Sequence, residues 1–242
     1  MAGGFDGVGM VLWISSDEAR RLLPNPDLQL DYPGHAQYHP VVLLLGAEHN
    51  VGVQLRRSYV HPRFLKQYDN AYVIVPYLRH PAAAQHVYVF SRIFVSDERV
   101  TERGTRLNQS PKVHAAIEDV PGRFVVNYGG VRRIDVTLQE YPPASSRPAQ
   151  VATARPANPV QATTHLLQTV FRQPKIELSP NVHLFAFDFM AQAWNLSPAI
   201  ISGTVHVPPV AGDRSSDVLL LAPDRPVAAI RFSSHWVKTL QH

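Results

Sequence analysis

The chain has 242 residues, 45% of them apolar, enough to bury one sizeable core, and one domain spanning residues 1–242 is the simplest organisation. Charged residues are few at 17%, prolines number 21 and cysteine is absent. That composition suits a turn-rich β protein and excludes disulfides, thiolate metal sites and cysteine nucleophiles. The net charge of +4 is scattered over pairs such as Arg20-Arg21, Arg56-Arg57 and Arg132-Arg133 with no basic run, so no nucleic-acid partner is expected.

No apolar run is long enough to span a bilayer, so no membrane partner is expected. The segment Met1 to Ile14 has no basic n-region or small-residue cleavage site, and a cytoplasmic protein is the expectation. Residues 15–23 read as a short helix. Ser15 and Glu18 form a capping box, Ala19, Leu22 and Leu23 supply the apolar face, and Pro24 stops it.

Most of the remainder reads as strands. Val41–Leu45 is a continuous apolar run, as in a strand buried on both faces, and Ala71–Leu78 and His86–Val95 are rich in β-forming residues. Arg123–Tyr128 and Val131–Leu138 flank Gly129-Gly130, a hairpin signal. Val182–Phe189, Ile200–Val207, Asp217–Leu221 and Val227–Phe232 complete about nine predicted strands. Ser234–Gln241 is expected to turn helical. The proline- and alanine-rich stretch 141–162 reads as a long loop within the domain. The fold class expected is mainly β with a few short helices (α+β), closed as a barrel or packed as a sandwich.

No P-loop, G-x-G-x-x-G or G-x-S-x-G motif is present, which argues against NTPase, Rossmann and α/β-hydrolase chemistry. Twelve histidines include His35 and His39, four apart, and His80 and His86 around a turn. Prolines and a glycine flank the first pair and no H-E-x-x-H is present, so solvated loop histidines are expected and no metal. Asp69 and Glu48 are candidate acids or bases, with ordinary surface carboxylates the simpler expectation.

Lysine is scarce: only Lys66, Lys112, Lys175 and Lys238. Lys112 closes the segment Gly104-Thr105-Arg106-Leu107-Asn108-Gln109-Ser110-Pro111-Lys112. This segment resembles the G-x-x-(hydrophobic)-x-x-x-P-K motif of acetoacetate decarboxylase-like proteins. Further segments are similar in the same order. Glu18 to Pro26 resembles the family's early helix and P-x-P turn, Tyr68 to Pro76 its Y-x-E…I-P strand, and Pro226 to His235 its last strand with S-S-H. The similarity spans residues 11–236.

The resemblance implies a β-rich barrel or cone with an internal pocket, a small-molecule carbonyl substrate, no cofactor and a possible homo-oligomer. It makes Lys112 the Schiff-base lysine, with Tyr68 and Asn70 orienting substrate and Arg106 binding an anionic group. An amine attacks a carbonyl only when unprotonated, so such a lysine needs burial or a neighbouring cation to lower its pKa. The chain departs from the family's decarboxylases at four places, one of them Thr105-Arg106 in place of their R-E pair. Val113 stands where they have a second lysine, Asn70 where they have glutamate, and no arginine occurs in Phe5 to Gly7. Three functions follow as expectations: a Schiff-base lyase acting on an oxo-acid or polyketide-like carbonyl by decarboxylation or aldol/dehydration; a cyclase or isomerase of secondary metabolism without an imine; or a non-catalytic small-molecule binding protein.

Overall fold

The computed structural model describes residues 2–34, 36–55, 58–60, 67–108, 111–140, 159–178, 183–189, 197–210 and 216–241. The elements in chain order are β1 (Ala2–Ser15), α1 (Ser16–Arg21), β2 (Gln29–Leu30), β3 (Tyr38–Leu55), β4 (Ser58–Val60), β5 (Gln67–Arg79), β6 (Val87–Val95), α2 (Glu98–Asn108), β7 (Lys112–His114), β8 (Ala116–Val120), β9 (Arg123–Tyr128) and β10 (Val131–Glu140). They continue with α3 (Pro159–Arg172), β11 (Lys175–Glu177), β12 (His183–Phe189), β13 (Ser197–Val207), β14 (Val218–Leu221) and β15 (Val227–Gln241).

Local chemistry sets the predicted boundaries. Ser15 accepts from the Glu18 N–H at 3.2 Å and the Ser15 N–H donates back to Glu18 Oε2 at 3.3 Å, which is the expected capping box. Gly129 and Gly130 both take positive φ, 62° and 74°, as a two-residue turn between β9 and β10 requires.

Strand pairing runs β1-β3-β5-β6-β11-β12-β15-β13-β10-β9-β8, and β15 also pairs with β1. Seven strands from β1 to β15 therefore come round on themselves, while β13, β10, β9 and β8 leave as a branch. The β-rich architecture agrees with expectation. The sheet as a whole is not one closed barrel, because the branch ends on β8.

Both faces of the ring strands are covered, which explains the unbroken apolar runs. Leu43, Val73 and Met10 join Phe124, Ile134, Val205 and Leu220 in one cluster between ring and branch. Leu44, Tyr72, Phe90, Phe5 and Trp236 join a second, aromatic-rich cluster with Leu167, Val170 and Phe171 of α3. Successive residues alternate between the clusters as the period of two demands.

Three expectations change. Ser234–Gln241 continues β15 as a strand: Ser234 and Trp236 are buried and His235 is exposed, and β1 and β12 pair along this stretch. Residues 159–162, placed in a loop, open α3, with Pro159 at the first helical position where its missing N–H costs nothing; residues 141–158 lie outside the described residues. Strand β1 has no counterpart in the prediction because four glycines dilute its signal. Gly7 and Gly46 face each other across β1 and β3, and a Cβ on Gly7 would lie 2.2 Å from the Leu45 carbonyl oxygen.

The histidine expectation also changes. His39 is 1% exposed and its Nε2 lies 2.7 Å from the Pro76 carbonyl, which the protonated nitrogen donates to. Pro76 sits in a bulge of β5 where Tyr77 takes a φ of 51°. His80 is buried too. Burial lowers the His39 pKa to about 4, with the Pro76 bond opposing it. The unfolded chain binds this proton near pH 6.5 and the folded chain does not, so the contribution is complete above 6.5 and is lost as pH falls through 4. We expect a stability loss of about 3 kcal/mol across that window at this site. Urea titrations at pH 7 and pH 4 should show a correspondingly smaller loss in His39→Gln.

Arg56-Arg57 lies outside the described residues, and members of the other basic pairs meet acidic partners. Arg20 meets Asp17, Arg132 meets Asp135 and Arg133 meets Asp217. No described helix is long and apolar enough to cross a membrane.

Candidate active site

Lys112 opens β7, a short strand parallel to β6 with Lys112 opposite Ile93. The chain reaches it through α2, whose first turn is held by Asp97: its carboxylate accepts the Val100 N–H at 2.9 Å. Pro111 cannot continue a helix, and its carbonyl accepts the Ile93 N–H at 3.0 Å, docking β7 onto the sheet. Gly104 supplies the remaining space. A Cβ there would lie 2.5 Å from Lys112 Cδ and 3.2 Å from Cε, so the helix gives way to the lysine's methylene chain. The spacing of glycine, proline and lysine in the sequence thus has a steric cause.

Lys112 is half-buried, with its amine turned into the protein. Its Nζ stands 5.9 Å from the centre of the Tyr68 ring, and among the described residues no carboxylate pairs with it. Burial lowers its pKa first; Glu48 and Glu177 oppose the shift and the Lys238 ammonium adds to it. Val113, in the place of a second lysine, packs against the apolar cluster on the other face of the sheet. The neighbouring cation comes instead from β15.

Asn70 and Tyr68 lie on β5, with the Tyr68 ring beside the Lys112 amine. Asn70 is 0% exposed, its Nδ2 donates to the Tyr72 hydroxyl at 3.3 Å, and its Oδ1 has no partner among the described residues. Tyr68 donates to Glu48 Oε2, and Tyr72 donates to Glu48 Oε1 at 2.5 Å. Burial and then the Glu48 charge push both phenols well above their usual pKa, so both stay protonated and donate. The side chain of Arg106, in α2, is outside the described residues.

Glu48 overturns the surface expectation. It is 4% exposed and lies opposite Tyr68 across the β3–β5 pairing. A buried carboxylate is therefore present on the strand next to Asn70, although position 70, where the resemblance implies a glutamate, has none. Asp69 points elsewhere; its carboxyl is half-buried and raised by that burial, and its N–H donates to Ser96 Oγ at 2.9 Å. Glu48 opposes the lowering of the Lys112 pKa, so Glu48→Gln should move the pH midpoint of Lys112 reactivity further down. The pH dependence of amine labelling at Lys112 reads this directly.

Two further lysines belong to the same cluster. Lys175 of β11 is 5% exposed and donates to Glu177 Oε1 at 2.5 Å; Lys238 of β15 donates to the same oxygen at 2.6 Å. Their ammoniums also lie over aromatic rings, Lys175 over Phe90 at 4.4 Å and Lys238 over Phe185 at 3.8 Å. Burial would raise the Glu177 pKa, but Lys175 and Lys238 outweigh it and hold the carboxyl below its usual value. Three of the four lysines in the chain thus gather near Glu177: Lys175 and Lys238 donate to it and Lys112 feels its charge. The scarcity of lysine was the available signal; Lys238 lay in the segment expected to be helical, where its direction had no meaning. A cavity of about 540 Å³ lined by Gly7, Asp119, Phe124, Arg231 and Ser233 is a separate feature, and its lining does not include Lys112.

Chemically, the site couples an inward-turned amine without an ion pair to a carboxylate carrying two phenol donors. The amine can add to a carbonyl, and the carboxylate–phenol group can hold or pass a proton.

No protein-family model and no curated protein matches the sequence. Solved structures match across nearly the whole chain. The enduracididine biosynthesis enzyme MppR, complexed with the condensation product of pyruvate and imidazole 4-carboxaldehyde, has a TM-score of 0.53 at 15% identity, covering 99% of this chain and 88% of that one. Acetoacetate decarboxylase from Legionella pneumophila has a TM-score of 0.51 at 9% identity, covering 100% and 87%. A further acetoacetate decarboxylase structure has a TM-score of 0.52 at 11% identity, covering 100% and 89%. The likeness is one of fold, and it agrees with the fold that the sequence resemblance implied.

Proposed function

We propose, from a chain that carries the acetoacetate decarboxylase-like fold, that this protein is an enzyme whose Lys112 forms an imine with a carbonyl substrate. The observation that carries the reading is the Lys112 amine itself: turned into the protein, without an ion pair among the described residues, and close enough to Lys238 to feel its charge. Lys175 and Lys238 both donate to Glu177, so their amines are engaged where that of Lys112 is not.

In the reaction the neutral Lys112 amine adds to the substrate carbonyl, and the carbinolamine takes up a proton and loses water to give an iminium. The iminium draws electrons from the adjacent carbon–carbon or carbon–hydrogen bond. Either CO2 or a proton leaves, and the resulting enamine is protonated or adds to an aldehyde. Glu48, with Tyr68 and Tyr72 donating to it, is a proton carrier whose charge acts on the amine. Asn70 Oδ1, buried without a partner among the described residues, is available to a donor on the substrate. Likeness to MppR, solved with a pyruvate condensation product, supports aldol chemistry beside decarboxylation.

Borohydride in the presence of pyruvate, acetoacetate or acetylacetone should reduce the iminium to a stable secondary amine, located on Lys112 by peptide mass spectrometry. Absence of an adduct across a panel of ketones and oxo acids would sink the imine reading.

A further inference from the structure

The cavity of about 540 Å³ opens between ring and branch, walled by β1, β3 and β15 on one side and by β8, β9 and β10 on the other. Its volume is usual for a small-molecule site. Leu45, Phe124 and Leu138 give it apolar walls and belong with the cluster that fills the space between ring and branch. Val113 packs with that same cluster, and successive strand residues point to opposite faces, so Lys112 looks the other way. The cavity is therefore a different place from the lysine site.

Two opposite charges share its lining without meeting. Asp119 stands on β8 opposite Phe124, and Arg231 stands on β15 opposite Val8 of β1. Among the described residues neither makes a hydrogen bond or an ion pair, although the Arg231 charge reaches Asp119. Elsewhere on this surface Arg20, Arg79, Arg123, Arg132 and Arg133 each pair with an aspartate. An arginine and an aspartate that face one cavity and stay apart depart from that pattern. Burial raises the Asp119 pKa and the Asp69 charge adds to it, with Arg231 opposing. An ammonium in the cavity relieves that repulsion. Ser233, also in the lining, donates to Asp6 Oδ1, which commits its proton and leaves its oxygen as an acceptor. The rim is fixed by the turn between β8 and β9, where Gly122 takes a φ of 80° and its carbonyl accepts the Leu138 N–H at 2.8 Å.

We infer that this cavity binds a small zwitterion, with its carboxylate on the Arg231 guanidinium, its ammonium on the Asp119 carboxylate and its apolar body on Leu45, Phe124 and Leu138. A guanidinium offers a carboxylate a planar fork of donors, and an ionised carboxylate offers an ammonium only acceptors. A molecule with one of the two charges satisfies one of these groups and leaves the other in water. Apolar α-amino acids and short apolar peptides carry both charges on an apolar body. Such an occupant touches β8 of the branch and β15 of the ring at once. The site stands apart from the imine reading and does not need it.

Isothermal titration calorimetry should compare leucine and leucyl-leucine with 4-methylpentanoate and 3-methylbutylamine, which each keep one charge. The better of the two zwitterions should bind at least tenfold more tightly than either singly charged compound, and which of them is better reports the spacing of the two charges. Asp119→Asn and Arg231→Gln should each weaken that zwitterion at least tenfold. Both residues are exposed, so both variants should melt with the parent in the absence of ligand. Arg225→Gln, which removes an exposed arginine outside the lining, should bind within twofold of the parent. Binding to neither zwitterion, binding no tighter than that of the singly charged compounds, or binding that survives Asp119→Asn and Arg231→Gln overturns the inference. Lys112→Met should bind the zwitterion within twofold of the parent, so a failure to trap any ketone and a failure of this site are read separately.

Discussion

Lys112→Met is expected to lose all borohydride-trapped adduct and at least ~10³-fold of any turnover found, as loss of a covalent nucleophile does. The variant should nevertheless fold, with a melting temperature no lower than the parent's. Methionine is close to the lysine stem in shape and keeps the contact with Gly104, while an amine that burial already disfavours in its charged form disappears. The pairing of lost chemistry with intact stability is the informative result. A lysine that merely braced β7 would give the reverse: weaker folding, with adducts moving to another amine. Differential scanning fluorimetry and peptide mapping of the trapped protein make the distinction. Lys112→Arg keeps a charge but has no usable nucleophile, so it should match methionine in trapping.

Gly104→Ala should divide stability from reactivity in the opposite sense to most core substitutions. Alanine is the better helix former by about 1 kcal/mol, so α2 itself gains. The new methyl would meet Lys112 Cδ at 2.5 Å, which is the middle of the side chain and not its free end. The lysine must leave its present rotamer, and its Nζ moves with it. A displacement near 1 Å at a reacting atom costs about 100-fold in rate. The expectation is unchanged or slightly higher stability with about 100-fold slower adduct formation, measured as the initial rate of trapping at a fixed ketone concentration. Gly104→Val should lose both, because a branched side chain leaves the lysine no path. Normal trapping in Gly104→Ala would mean that Lys112 reaches substrate by another route.

Much of the architecture was legible because it depends on near neighbours in the chain. The capping box at Ser15 and Glu18, the Gly129-Gly130 turn and the apolar run at Val41–Leu45 are local signals with local causes. The failures were local as well. Ser234–Gln241 carries residues tolerated in either state, and its strand form comes from pairing to β1 and β12. Glycines hid β1, whose close approach to β3 makes them necessary.

By itself the sequence determined a cysteine-free, strand-rich chain with Lys112 behind a glycine and a proline, and that much rests on residue type and spacing. Tertiary structure alone decided what surrounds the lysine. Glu48, Lys175, Glu177 and Lys238 come from β3, β11 and β15, and they meet only because β15 pairs with both β12 and β1. Val113 and Asn70 had suggested a site stripped of its cation and its acid. Pairing across the sheet brings a lysine, Lys238, and a carboxylate, Glu48, near enough to act on Lys112, because charge acts through space and strands far apart in sequence are a few ångströms apart in a sheet.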